Sequence, residues 1–259
     1  MTSLDPVRPA APLPLFYQSP TLLRIQEHAA LGVRRAANFH FAAGAAALPL
    51  VASEFAFAGR SYPIVFANDD GAMPLAVTGM ETGQNLFVDA DGGWRTGTYI
   101  PGYVRRYPFI GMTAEAGGPT MLGIDVASDR VLPEGGADAD LLFDAAGSAT
   151  AAGQAAMALC DAYAGDHIRT QAFAQALKAN GLLEERSAQV SYADAGKAVV
   201  QGFQVVNEAA FRALPGPVVV EFHAKGWLDL IVLHLASQLS WQLLLDAASA
   251  RRQTPALNA

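Results

Sequence analysis

The residues best suited to chemistry form a run of tyrosines and arginines near the middle of the chain, in the sequence YIPGYVRRYPF. Its members that could contact a ligand are Tyr99, Tyr103, Arg105, Arg106 and Tyr107. An arginine side chain is a rigid fork of donors that fits a carboxylate or a phosphate with two hydrogen bonds. Tyr103 would share a face of a short helix with Arg106 or Tyr107. The run therefore predicts a binding site for a small carboxylate, such as an amino acid or a peptide terminus.

A structural role for the same arginines is the competing interpretation. A buried arginine is commonly paired with a carboxylate of its own chain, and Glu54 or Asp125 could supply one. The tyrosines would then only pack. Sequence alone leaves both interpretations open, because an ion pair does not imply catalysis or binding.

An enzyme without a sequence signature is the second functional hypothesis. Its acid or base would come from His40, Glu54 or Asp125, brought together by the fold. On a strand, His40 would point away from Phe39 and Phe41. The chain has no GxSxG motif, phosphate-binding glycine loop or dinucleotide fingerprint, so the catalytic residues stay unknown.

No metal and no cofactor are predicted. The sequence DADGGW at residues 89–94 resembles the start of a calcium loop, but Gly93 stands at the third acidic position and no glutamate follows at the expected distance. Asp-Gly between two strand-like runs is typical of a hairpin turn. The histidines lack metal-ligand spacing, and His234, among leucines, is expected to make a hydrogen bond in the core.

Charge and cysteine content exclude other classes of function. The chain has 259 residues and a formal net charge of −7. An acidic chain has no summed field that attracts phosphate backbones, so we expect no nucleic-acid partner. Cys160 is the single cysteine, which excludes an internal disulfide and a cysteine-based zinc cluster. We expect it to be an inert thiol inside a helix.

A cytoplasmic location is expected from two further patterns. The N-terminal residues lack the basic start and unbroken apolar run of a secretory signal. The most apolar stretch, residues 228–245, is interrupted by polar side chains such as Asp229 and Gln238. A bilayer core requires about 20 mainly apolar residues, so no membrane span is expected.

Strand-like and helix-like segments follow one another without a regular βαβ order. This predicts an α+β fold with mixed, mainly antiparallel sheets, a helical middle segment and a long C-terminal core helix. Five prolines indicate an extended arm over residues 1–20. A single domain is expected over residues 21–250, with a sub-division near 130–150 left open, and a flexible tail over 251–259.

The individual elements follow from periodicity and from capping residues. Strands are predicted near 39–41 and at 62–67, 73–80, 84–89, 109–113, 119–126, 198–206 and 218–222. Helices are predicted from Pro49 to about Gly59, for about two turns between Pro101 and Pro108, over 151–180, after Asn207, and from about Trp227 to Ala250. In the 151–180 helix the expected buried residues are Met157, Cys160, Tyr163, Ile168, Phe173 and Leu177, and Gly165 is a candidate break.

The final helix is apolar over more than one face. Such a helix is either central to the core or half of a contact between subunits. We favour the core, because the sheets need a large helix to cover them, and a homodimer through this helix is the alternative.

Several motifs occur in an order that carries a family resemblance. They are PLVASEF, YPIVF, NLFVDADGGW and YIPGYVRRYPF, followed by GIDVASDR, LLFDAAG and GFQVVNEAAFRAL. The chain resembles the SapC family of bacterial proteins, named for a gene in a surface-layer locus and unrelated to saposin C or to the Sap transporter permease. The resemblance extends from about Phe16 to Leu245.

The resemblance implies a biological setting and no catalytic set. It links the chain to surface-layer or outer-membrane uptake functions. Genes for flavin-dependent halogenase-like proteins and outer-membrane receptors often accompany such members. The resemblance therefore implies a soluble accessory or binding protein, with a halogenase-like enzyme or an envelope system as its partner.

Overall fold

The computed structural model describes residues 13–35, 38–113, 118, 120–191 and 197–253, which form helices and antiparallel strands. The strands are β1 (Pro20–Leu22), β2 (Gly32–Arg34), β3 (Ala47–Pro49), β4 (Ile64–Ala67), β5 (Pro74–Val77), β6 (Phe109–Thr113), β7 (Thr120–Asp125), β8 (Val131–Leu132), β9 (Ala139–Leu141), β10 (Leu183–Ser191) and β11 (Lys197–Val206). The α-helices are α1 (Ile25–His28), α2 (Phe55–Ala58), α3 (Gly102–Arg105), α4 (Ala151–Ala179), α5 (Glu208–Arg212), α6 (Gly216–Ala224), α7 (Trp227–Ser237) and α8 (Ser240–Gln253). The predicted α+β class is confirmed.

The described strands form three antiparallel sheets. The largest has the order β10-β11-β4-β5-β3, and the two smaller ones have the orders β1-β7-β6 and β8-β2-β9. Because β2 pairs with both β8 and β9, residues 131–141 are hydrogen-bonded to the N-terminal part of the chain. The predicted pairing of residues 109–113 with 119–126 is observed as β6 and β7.

Helix α4 links the largest sheet to the sheet that contains β6 and β7. Its C-terminal half places Phe173 and Leu177 in the main core, which also contains Phe66 of β4. Its N-terminal half packs Cys160 against Leu122 of β7. The middle turns of α4 lie between these two contacts.

The observed bounds of α4 agree with the helix predicted over residues 151–180. Thr150 caps the start, because its side-chain oxygen accepts a hydrogen bond from the amide of Gly153. At the other end Gly181 has a φ of +63°, the left-handed conformation that follows many helices. The helix runs through Gly165 without a break.

One of the residues predicted to be buried in α4 is not buried. Ile168 is 67% exposed, whereas Cys160, Tyr163, Phe173 and Leu177 are buried and Met157 is partly buried. An α-helix has 3.6 residues per turn, so a residue five positions after Tyr163 lies on a different side of the helix. The outward position of Ile168 puts an apolar side chain at the surface.

Residues 218–222 form part of helix α6, so the predicted strand is wrong. Pro217 lies in the first turn of the helix, where a missing amide hydrogen is tolerated. Phe222 is almost fully buried, and its ring contacts Trp227 edge to face. Packing against α7 therefore outweighs the strand preference of the three valines, which is a weak local effect.

The predicted strands near 39–41 and at 84–89 are also wrong. A 3₁₀ turn covers His40–Ala42, and the side chain of Asn38 starts it by accepting a hydrogen bond from the amide of His40. Residues 84–89 contribute only an isolated bridge between Val88 and Trp94. Strand β10, for which no element was predicted, pairs with β11 along its length.

The segment after Pro49 is a 3₁₀ turn at Ala52–Glu54 followed by α2, in place of the single predicted helix. The N-terminal arm is described from residue 13 onward. There Tyr17 is buried and Phe16 partly buried, whereas Leu13 and Leu15 are exposed. The rest of the arm and the end of the C-terminal tail lie outside the described residues.

The C-terminal helices bury one face and expose the other. The inward residues are Ile231, His234, Ser237, Ser240, Leu244 and Ala248. On the outward face, Leu239 is 82% exposed, and Val232 and Leu243 are also exposed. The prediction of a core helix is therefore correct for the inward face, and a homodimer through the outward face stays a prediction.

Among the described residues, one helical stretch, Trp227–Gln253, is long and apolar enough to cross a membrane by length and composition. A helix in the core of a soluble protein meets the same criterion.

His234 makes the hydrogen bond in the core that the sequence predicted. The residue is fully buried beside Phe66, and its Nε2 accepts a hydrogen bond of 3.0 Å from the amide of Val206. Burial lowers the pKa of His234 to about 4. The neutral ring is therefore the form that fits the core.

This burial predicts a loss of stability in acid. An unfolded histidine has a pKa near 6.5. The unfolded state therefore binds more protons than the folded state between pH 6.5 and 4, and stability falls as pH falls through that window. We expect His234 to account for a loss of about 3 kcal/mol in the free energy of unfolding between pH 7 and pH 4.

Urea unfolding of wild type and His234→Gln at the two pH values measures this effect. The glutamine oxygen can accept the hydrogen bond from Val206 but does not titrate. Carboxylates titrate in both proteins, so the difference between the two losses isolates the histidine. Equal losses in the two proteins would contradict the prediction.

Candidate functional site

A cavity of about 600 Å³ lies between helix α4 and strand β6. We call it the Arg106 cavity, and its polar lining includes Tyr103, Arg106, Tyr163 and His167. Its volume is in the range of sites that bind small molecules. Two residues of the predicted site, Tyr103 and Arg106, therefore lie on a cavity.

The two arginines of the predicted site point to different surroundings because they are successive residues at the end of α3. Successive residues of a helix are about 100° apart around its axis. Arg105 is the last residue of α3, and Arg106 follows it with its amide bonded to the carbonyl of Gly102. The sequence predicted about two turns, which would have given the same separation.

Arg106 sits in a corner made by two tyrosine rings. Its guanidinium carbon is 4.5 Å from the ring centre of Tyr103 and 4.3 Å from that of Tyr163. The two ring centres are 6.1 Å apart and the ring planes are inclined at 61°, so the guanidinium has an aromatic ring on two sides. Burial raises the pKa of both tyrosines, so their hydroxyl groups stay neutral beside the cation.

In the described part of the chain, no carboxylate forms an ion pair with Arg106. Among the residues that the structure describes, none of the ion pairs includes Arg106. Its Nε is buried and has no hydrogen-bond partner there. Buried polar groups are nearly always hydrogen-bonded, so an unpaired guanidinium nitrogen beside a cavity is a candidate contact for an anion.

Arg105, in contrast, is part of an internal network. Its Nη2 donates a hydrogen bond of 3.0 Å to the hydroxyl of Tyr99 and lies 3.9 Å from Oε1 of Glu54. Its Nε donates to the carbonyl of Ile100. Arg105 therefore has the structural role that was the competing interpretation for both arginines.

Glu54 is the centre of that network. Its Oε1 accepts hydrogen bonds from the amide of Gly102 at 2.6 Å and from the hydroxyl of Tyr99 at 2.9 Å, and its Oε2 accepts one from the amide of Val51 at 3.0 Å. A Cβ atom at residue 102 would lie 3.2 Å from Oε1, so glycine permits this close approach. Burial, and then the charge of Glu54, raise the pKa of Tyr99 to about 12.

Asp125 is the centre of a second network. Its carboxylate is fully buried and accepts hydrogen bonds from the amides of Gln18 at 2.9 Å and Ser19 at 2.7 Å. It also accepts one from the hydroxyl of Tyr107 at 3.2 Å. Asp125 thus holds the end of the N-terminal arm against β7, and Tyr107 belongs to this contact and is absent from the lining of the Arg106 cavity.

The family model for SapC matches residues 23–244, which is most of the chain. The chain belongs to the SapC family. No curated protein and no solved structure gave a significant match. The match includes the tyrosine–arginine run and all of α4, so the Arg106 cavity lies within the SapC region.

The three acid–base candidates of this SapC protein lie in different surroundings. His40 is exposed on its 3₁₀ turn, whereas Glu54 and Asp125 are buried. In the described part of the chain, no hydrogen bond or ion pair joins any two of the three. Both carboxylates bind backbone amides, which is a structural role, and their proposed catalytic role stays a prediction.

Helix α4 supplies cavity residues that the sequence did not single out as site residues. Tyr163 was predicted only as a buried residue, and His167 follows it by one turn, with the two rings stacked. Burial, and then the positive charge of Arg106, lower the pKa of His167. The spacing of four residues between Tyr163 and His167 is the signal that could have identified this face.

Two further sequence predictions concern a thiol and a turn. Burial raises the pKa of Cys160 to about 11, so the thiol is protonated at neutral pH and weakly reactive.

In the DADGGW turn, one oxygen of Asp89 accepts hydrogen bonds from the amides of Asp91 and Gly93. Among the described residues there is no cluster of three or more His, Cys, Asp or Glu side chains that could hold a metal ion.

Proposed function

We propose that this SapC-family protein is a soluble binding protein that holds a small carboxylate, free or at the end of a peptide, through Arg106. The observation that carries the proposal is that Arg106 lines a cavity, while its buried Nε has no hydrogen-bond partner among the described residues. A carboxylate in the cavity could accept two hydrogen bonds from that group.

The tyrosine corner makes Arg106 a suitable anchor. Two contacts with aromatic rings restrict the side chain before any ligand arrives, so little further entropy is lost on binding. The partial burial of the cation also strengthens its attraction to an anion compared with a fully solvated arginine. Arg105, held by Glu54, supports the position of the helix turn that carries Arg106.

The biological process that this binding would serve is inferred from membership of the SapC family. We propose a cytoplasmic accessory role in surface-layer or outer-membrane uptake functions. Partnership with a halogenase-like enzyme remains a prediction, and co-purification of the two proteins from cells that express both would test it. An enzymatic activity on amino acids or peptides likewise remains a prediction.

Substitution of Arg106 tests the binding function directly. We expect the wild-type protein to bind acetate and propionate in an NMR titration, with shifts at Tyr103, Tyr163 and His167. Arg106→Met keeps a long apolar side chain against the rings and removes the charge. We expect it to weaken binding at least ten-fold, since a charge-assisted pair of hydrogen bonds is lost.

The control is Arg212→Met, which removes an exposed arginine that pairs with Glu208 on helix α5. We expect it to bind as wild type does. Saturable binding that is unchanged in Arg106→Met, or titrations of wild type without saturation, would overturn the proposal.

A further inference from the structure

Part of the wall of the Arg106 cavity is apolar. It includes Met73, Leu75, Ile110 and Met112, each of which is only partly buried. Apolar side chains in a core are usually covered completely, so these four leave apolar surface facing the cavity. A ligand that covered this surface would gain hydrophobic stabilisation in addition to the contact with Arg106.

The rim of the cavity is also apolar on the side of helix α4. Ile168, which is 67% exposed, lines the cavity together with Ala164. Because Ile168 points outward at the rim, its side chain can cover the outer part of a bound ligand. Tyr163, which is buried, and His167, which is exposed, precede Ala164 and Ile168 by one position each and also line the cavity.

The charges around the cavity favour one negative group on the ligand. Arg106 is the one arginine or lysine of the cavity lining, and the one carboxylate there among the described residues is Asp69. A second carboxylate on the ligand would therefore find no second arginine or lysine in this lining, since Lys178, which donates to the carbonyl of Asp69, lies outside it. A second charge that loses water against apolar side chains and gains no partner opposes binding.

From these three observations we propose that the ligand is an amphipathic monocarboxylate, with its carboxylate on Arg106 and an acyl or aryl body along Met73, Ile110, Met112 and Ile168. This inference rests on the proposed function and specifies its ligand class. It also predicts which end of the ligand lies deepest, since Arg106 is partly buried whereas Ile168 is at the surface.

A series of straight-chain carboxylates from butanoate to decanoate tests the proposal by calorimetry, below their micelle concentrations. We expect affinity to rise about four-fold for each added methylene until the cavity is filled, since burial of one methylene contributes about 0.8 kcal/mol. Octanedioate and octanol are each expected to bind at least ten-fold more weakly than octanoate, because one adds a second charge and the other lacks the first.

Variants at the rim provide a second measurement. Ile168→Ser is expected to weaken octanoate binding several-fold and acetate binding by a smaller factor, because acetate is too short to cover the isoleucine. Val220→Ser is the matched control, since Val220 is 69% exposed on α6 and does not line the cavity. We expect this control to bind both ligands as wild type does.

The outcomes separate this inference from the proposed function. Affinity that is constant along the series, with acetate binding still dependent on Arg106, would overturn the ligand class and leave the binding function intact. Equal affinities for octanoate and octanedioate would also overturn it. If no carboxylate binds, the proposed function fails and this inference fails with it.

Discussion

Asp125→Ala is expected to lower the free energy of unfolding by about 3–5 kcal/mol. The alanine would leave the amides of Gln18 and Ser19 and the hydroxyl of Tyr107 without their acceptor. Each such group costs about 1–3 kcal/mol when it stays buried and unpaired. If the arm detaches, its amides bind water and part of this cost is avoided. The expected loss therefore stays below the sum of the three separate costs.

Detachment of the arm gives the prediction a local readout. In the wild-type protein Tyr17 is buried, and its hydroxyl donates a hydrogen bond to the carbonyl of Phe109. We expect chymotrypsin to cleave after Phe16 or Tyr17 faster in Asp125→Ala than in wild type, at a urea concentration where both remain folded. Urea unfolding gives the global effect, and chymotrypsin gives the local one.

Asp161→Ala is the control for loss of an aspartate. Asp161 is exposed on helix α4, and such surface substitutions seldom change stability noticeably. A loss below about 1 kcal/mol in Asp125→Ala, with an arm as resistant as in wild type, would show that the hydrogen bonds to Asp125 do not hold the arm.

The sequence predicted elements well where local signals decide the structure. Thr150 and Gly181 mark the two ends of α4 through side-chain capping and a left-handed φ, both of which depend on neighbouring residues only. Asn207 caps α5 in the same way, by accepting a hydrogen bond from the amide of Ala210. These signals need no knowledge of the tertiary structure.

Prediction failed where tertiary packing decides. The valines of α6 favour a strand, yet Phe222 fills a site against Trp227 that only a helix presents to it. Ile168 was expected in the core because it is apolar, but the phase of α4 is set by Cys160, Tyr163, Phe173 and Leu177 together. Local composition contains neither constraint.

The candidate site was predictable in type but not in detail. The sequence indicated that arginines flanked by tyrosines can bind a carboxylate, and it left open whether they pair internally instead. The structure divides the two roles, because Arg105 lies beside Glu54 and Arg106 faces the cavity. This division depends on the contact of Arg106 with Tyr163 of α4. Tyr163 is remote in sequence from α3, so the local sequence around the arginines does not predict the contact.

Glu54→Ala is expected to lower the free energy of unfolding by about 3–5 kcal/mol. It removes the acceptor of two backbone amides, those of Val51 and Gly102, and of the Tyr99 hydroxyl. The ion pair with Arg105 contributes less than these hydrogen bonds, because the arginine side chain is 47% exposed and its distance to Glu54 is 3.9 Å. Urea unfolding measures the loss.

Glu54→Gln and Arg105→Met separate the two contributions. Glutamine keeps one oxygen but turns an amide donor toward the donors of Val51 or Gly102, so we expect it to lose most of the stability that alanine loses. Arg105→Met removes only the ion pair and the hydrogen bonds of the guanidinium, and we expect a loss of about 1 kcal/mol. Glu208→Gln on α5, which breaks an exposed pair with Arg212, is the control and should change stability by less than about 0.5 kcal/mol.

The same variants connect stability with the Arg106 cavity. The hydrogen bond from Gly102 to Glu54 fixes the start of α3, and Arg106 bonds through its amide to the carbonyl of Gly102. Loss of Glu54 should therefore displace Arg106 and weaken acetate binding, even at temperatures where the variant is fully folded. A Glu54→Gln protein that loses less than about 1 kcal/mol would contradict the role of Glu54 as the anchor of α3. If it loses stability but binds acetate as wild type does, Arg106 is held by the tyrosine rings alone.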